Sequence, residues 1–439
     1  MLKDTTGLPI TAKNQDAVNA FEKTVISYFR FGIDIGTNLK ETYSKDENMF
    51  FAHILRGYFM HLMGSRKMLT KAESALSDAK KLEREISQRE LLHLKSLEYW
   101  CKLDLKKTTA CWQEIVDQYP GDALAIKMLH YSYFYLGDQK NLKFSIDKSW
   151  KYWTQKKNSP YYSYLLSLKA FGLEENGYYQ QAKELAYEAY SINKDDAWAV
   201  HTISHVYEMN DQSSDGVKWI RESFFPNKWN NFRYHLQWHK AIMSLNICTN
   251  DEILKIYDTE IFDETSQEYL DLINNISLLL RLEMLNIDVG NRWDYVYEKI
   301  NTRLNDHILA FIDIHFMICL CYKDINLAKN YLENIKKYQD ESKDTYAEIS
   351  KSITLLLCKA IIFYKTQKFD KCIQILEEAE GKSYLIGGSN AQRDILNLIH
   401  LDSLLRIKNQ DKLQNFIKKR NITRPNNKFY EKLNHSINN

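Results

Sequence analysis

Apolar residues recur at spacings of three and four almost from end to end of this 439-residue chain, and strict alternation is hard to find. A 3.6-residue period stacks such positions on one face of a helix, whereas a half-buried strand needs a period of two, so the chain reads as mostly helical. Only five prolines and 14 glycines are present, which leaves little punctuation for many short strands. The breaks fall at GDQKN (137–141), NKDD (193–196), NDQSSDG (210–216), FPNKWNN (225–231), NIDVGN (286–291) and IGGSN (386–390), and none is a long linker. Aromatics at 13% supply material for a core that a disordered chain would lack. A net charge of +2 gives no electrostatic case for nucleic acid or an anionic membrane surface. No apolar run is long enough for a membrane span, and MLKDTTGLPITAKNQ has no apolar core of a secretory signal. The seven cysteines form no C-x-x-C pair, and free thiols in a reducing cytoplasm are the simplest reading.

Residues 163–196 resemble a tetratricopeptide repeat, with Gly177, Tyr179, Ala182 and Ala189 where that repeat places its turn and its small packing residues. With Ala182 as the key position, Thr108, Leu142, Gly216, Ile253, Ala328 and Cys372 are its equivalents, and the gap between Ile253 and Ala328 has room for two units. Several of these residues have the wrong size. The expectation is therefore an all-α, irregular tetratricopeptide-like α-α superhelix, a solenoid with one concave face. It is a single array over 1–439: divergent helices in 1–87, the best repeats in 88–260, divergent repeats in 261–417 and a tail in 418–439, of which KKRNITRPNNK (418–428) is the part most prone to fray. Lys169 falls on a packing face, which the frame does not explain.

In AWAVHTISHVYEM (197–209) that frame sets Val200, Ile203, Ser204 and Tyr207 on the packing side and Trp198, His201, His205 and Glu208 on the inner stripe. The same register puts His93, His235, Trp238 and Asp313 on inner stripes, with His239 one turn after His235 and His315 near Asp313.

The stretches SQRELLHLKSLE, YSYFYLG, AYSINKDDAWAVHTISHVYEM, HLQWHKAI, KIYDTEI, GNRWDYV, NDHILAFIDIHF and IGGSNAQRDIL, between about residues 88 and 396, are similar to the tetratricopeptide repeat protein 38 family. The resemblance implies a helical superhelix and a cytoplasmic setting, and brings no reaction with it. Its motifs mark Trp198, His201, His205, Glu208, His235, His239, His307, His315, Asn390, Arg393 and Asp394.

His201 and His205 at i and i+4 can share one metal ion, with Glu208 as a third ligand on the same face. Thr202 stands where a zinc protease carries its glutamate, which disfavours that chemistry. His235 and His239 form a second such pair. If the helices face each other, the set can hold zinc, iron or copper, or act as a metal-free acid–base site. Each histidine alone reads as an ordinary hydrogen-bonded residue. In IGGSNAQRDI, Ser389 or Asn390 caps a helix whose free amides, with Arg393 and Asp394, suit an anion; a capped helix with a structural Arg–Asp pair fits equally. No Walker loop, dinucleotide fingerprint or nucleophile elbow is present. Two functions follow. Either a cavity lined by these residues binds a small polar or anionic molecule and acts on it, or the groove is a scaffold for a peptide. A peptide groove would favour Lys, Arg and Asn over histidine.

Overall fold

The computed structural model describes residues 1–83, 86–223, 228–425 and 428–438. The FPNKWNN break and the 418–428 segment therefore each lie partly outside the described residues, at 225–227 and at 426–427. Among the described residues the only strands are Leu2–Lys3 and Pro9–Ile10, paired antiparallel, and the remaining regular structure is helical. No described helix is long and apolar enough to cross a membrane, and all seven cysteines are thiols.

The helices pack as consecutive hairpins, which makes this an all-α helical-repeat fold. The hairpin at 162–192 shows why. Helix Tyr162–Glu174 and helix Tyr179–Ile192 are joined by four residues, so they run antiparallel. Gly177 at φ 80° supplies the left-handed turn. Ala182, Ala186 and Ala189 then lie on one face of the second helix, fully buried. The other hairpins reuse the turn with residues that give no signal in sequence. Leu103, Asp211, Asn286, Gln367 and Lys408 all sit at φ 55–57° just past the first helix of a pair. Each accepts a cost of about 1–2 kcal/mol that glycine avoids. Asp104 and Asn409 follow Leu103 and Lys408 as N-caps, and Asp138 follows Gly137 in the same way; they accept from the amides of Lys107, Lys412 and Asn141 at 3.0–3.1 Å. Lys169 has its explanation too: its ammonium pairs with Asp147 and lies 5.2 Å from the Trp150 ring.

The chain forms two compact units. The first comprises residues 1–134, 138–202 and 225–230; the second comprises 135–137, 203–224 and 231–439. The boundary falls inside helix Ala197–Met209, between Thr202 and Ile203. In the second unit the hairpins include Tyr269–Met284 with Arg292–Ile300, Ala310–Lys323 with Ile325–Glu341, Leu355–Lys365 with Phe369–Glu378, and Asn390–Arg406 with Gln410–Thr423.

The repeat frame makes a direct prediction. Ala182→Leu forces three extra carbons into a contact with no exposed area, and overpacking of this kind costs about 1–3 kcal/mol. Urea unfolding followed by circular dichroism should show the first unit melting earlier. An unshifted transition would mean that Ala182 does not set the helix–helix distance.

Candidate functional site

Three imidazoles meet in the second unit. His205 comes from the last turns of helix Ala197–Met209, and His235 and His239 come one turn apart from helix Phe232–Ser244. All three are buried. A nitrogen of each lies within 4.8 Å of a nitrogen of the other two. The His205 and His239 ring centres are 4.5 Å apart and those of His235 and His239 4.7 Å.

The hydrogen bonds behind the rings decide which nitrogen is available. His239 Nδ1 lies 2.7 Å from Glu208 Oε2, and His235 Nδ1 lies 3.0 Å from Asn274 Oδ1. Both oxygens only accept, so each Nδ1 carries the proton and donates it. Neutral histidine has one N–H, so each Nε2 is left with a lone pair. Those two Nε2 atoms face each other at 3.3 Å. Burial pushes the His235 imidazole down to about 4, and burial together with the nearby His205, His235 and Arg424 pushes His239 well below its ordinary value. Both rings are therefore neutral near pH 7, and two converging lone pairs ask for a cation between them. Ligand bonds of about 2.0–2.1 Å to a tetrahedral ion would set two imidazole nitrogens about 3.3 Å apart.

Glu208 takes a different place from the one its stripe suggests. Its Oε2 receives His239, and its Oε1 receives Arg424 Nη2 at 3.0 Å. Both oxygens are engaged behind the ring, so the carboxylate orients His239 rather than joining the ligand set. Arg424 also donates to Asp394 at 2.6 Å, and Asp394 takes both terminal nitrogens of Arg420 at 2.5 and 2.8 Å. The segment read as fraying thus supplies a buried guanidinium, Arg420, and a part-buried one, Arg424. Trp238 stacks on His235 with ring centres 5.3 Å apart, and the Arg281 guanidinium lies 5.8 Å from the Trp238 ring. Arg281, Arg424, Glu208 and Asp394 border a hollow of about 20 Å³, room for about one water.

His201 offers a ring nitrogen within 4.8 Å of those of the three others, and its ring packs 4.7 Å from Trp198 and 5.4 Å from Phe171. The remaining residues expected at a common site lie elsewhere. His93 is held on both sides, by Asp122 Oδ2 at 3.0 Å and by the Tyr58 hydroxyl at 2.9 Å, and Trp112 Nε1 donates to that hydroxyl at 2.9 Å. Such a closed network is structural. His307 and Asp313 form their own pair at 3.2 Å, with the Tyr331 hydroxyl donating to Asp313 at 2.5 Å. His315 Nδ1 is tied to the Phe311 carbonyl at 2.8 Å. In IGGSN, Ser389 is the cap, and it exchanges hydrogen bonds with Gln392 in a capping box. Arg393 donates back to the Gly388 carbonyl and to Asn390 Oδ1 at 2.7 Å. That loop binds itself, and the expected anion seat is filled by its own side chains.

Periodicity alone did not mark Asn274, Arg281, Arg420 or Arg424. It also missed Lys127 in the first unit, whose ammonium lies 4.7–5.4 Å from the rings of Tyr28, Phe29, Phe31 and Trp198. Burial pushes Lys127 down to about 8. One turn on, neither ring nitrogen of His130 has a hydrogen-bond partner among the described residues. No protein-family model matches the chain.

Proposed function

We propose that the second unit binds a first-row transition metal through His205, His235 and His239, and that the protein uses this centre on a small polar or anionic molecule. The observation that carries the reading is the pair of Nε2 lone pairs 3.3 Å apart, each fixed by an acceptor behind its ring. Three imidazoles with no ligating carboxylate favour zinc over iron, whose mononuclear sites commonly add a carboxylate. Three protein ligands also leave a position for water or substrate, as catalytic zinc sites do. A zinc ion supplies Lewis-acid polarisation and an acidified water. The protein's own part is to hold the rings, keep His235 and His239 neutral and place the positive charge of Arg281 and Arg424 beside the cluster. We also propose that the chain belongs with the tetratricopeptide repeat protein 38 family, on the strength of AYSINKDDAWAVHTISHVYEM and HLQWHKAI.

The test is metal analysis of purified full-length protein, before and after chelation and reloading, beside a His235→Ala/His239→Ala variant. Stoichiometric zinc in the wild type, lost in the variant, is the expected result. Wild type that takes up no more metal than the variant from any added ion removes the metal. Incubating both with a cell metabolite extract then addresses the substrate: a compound depleted or retained by the wild type alone supports small-molecule chemistry, and identical extracts argue against it.

A further inference from the structure

A cavity of the second unit lies away from His205, His235 and His239. It has a volume of about 660 Å³ and is walled by helices Phe369–Glu378, Asn390–Arg406 and Gln410–Thr423. That size falls within the range of about 300–1,000 Å³ that small-molecule sites occupy. Leu357, Leu376, Leu396 and Phe416 give it an apolar wall.

Two polar groups on the wall have capacity to spare. Arg420 is 7% exposed; its two terminal nitrogens are committed to Asp394, and its Nε has no partner among the described residues. An Arg Nε–H can only donate, so it calls for an oxygen acceptor, and leaving it without one costs about 1–3 kcal/mol. His400 Nε2 on the same wall also has no partner among the described residues, and its ring sits 4.6 Å from Phe416. Around the mouth, Lys412 and Lys419 pair with Glu377 and Glu380 at 2.9 and 2.8 Å, while Lys418 has no ion-pair partner among the described residues. Cations outnumber acids on this wall.

We infer that this cavity is a binding site for a small molecule with an anionic oxygen head, a carboxylate or a phosphate, on an apolar body. The head accepts from Arg420 Nε and His400, and the body lies against Leu376, Leu396 and Phe416. The site shares no imidazole with the proposed metal centre, so either proposal stands if the other fails.

The test titrates full-length protein calorimetrically with 3-phenylpropanoate, phenyl phosphate and the neutral 3-phenylpropanamide. At least one anion should bind about tenfold or more tighter than the amide, a gap of about 1.4 kcal/mol. The stronger anion identifies the head. Ala379→Phe, which fills the cavity, should abolish binding, and the surface change Lys418→Glu should weaken it without touching the core. On the wild type itself, bound probe should slow amide exchange in 376–386 and 410–423. No binding by either anion, equal binding by the amide, or protection confined to other segments would overturn the site.

Discussion

Asp394→Asn should destabilise the protein by about 3–5 kcal/mol, the range for breaking a buried ion pair from one side. The carboxylate is 5% exposed and answers both Arg420 and Arg424, themselves 7% and 11% exposed. The substitution keeps the shape and removes the charge, so two guanidiniums lose their shared counter-ion inside the protein. Burial alone would raise the Asp394 carboxyl; Arg420 and Arg424 overcome it and hold the group far below the usual carboxylate range. A depressed folded-state pKa gives stability that is complete above the unfolded value of about 4 and is lost as pH falls below it. Urea midpoints at pH 7 should therefore differ widely between wild type and Asp394→Asn, and the gap should narrow toward pH 3. Equal midpoints at pH 7 would show that the guanidiniums find water instead.

Glu208→Gln should lower zinc affinity about 10–100-fold, the usual effect of losing a partner behind a ligating histidine. The carboxylate receives the Nδ1 proton of His239, which turns Nε2 toward the metal and makes it more basic. Glutamine is nearly the same size and can still accept one hydrogen bond, but it has no charge. Stoichiometry at saturating zinc should be unchanged, because all three imidazoles remain. Competition with a chelating dye reads the affinity directly. An unaltered affinity would place Glu208 outside the metal's influence and leave it as a partner of Arg424 alone.

What could be read in sequence divides along a physical line. Helices, hairpins and the face on which a residue lies follow from spacing, and the i, i+4 pairing of His235 and His239 with a neighbouring His205 was visible in that way. Spacing does not say which nitrogen of a ring is free, nor whether a carboxylate stands beside a cation or behind a ligand, which is why Glu208 was read as a ligand. His93 and Asp313 share the predicted stripe, yet each is satisfied by a neighbour that only the folded chain supplies. Arg424 reaches Glu208 across 216 positions of sequence, a distance over which no period carries information. The turns at Leu103 and Gln367 escaped for a local reason: a left-handed residue without glycine has no mark of its own.

The chain His239, Glu208, Arg424, Asp394 and Arg420 alternates positive or proton-donating groups with negative ones, each member leaning on the next. Such an arrangement must be inherited as a block. A lineage that changes one of these positions strands a charge where there is room for little water, while one that changes two neighbours together can swap the whole pair for apolar side chains at little loss. Among related sequences the four charged positions should therefore be kept or abandoned in company, and a sequence holding Arg420 without Asp394 would be the exception to look for.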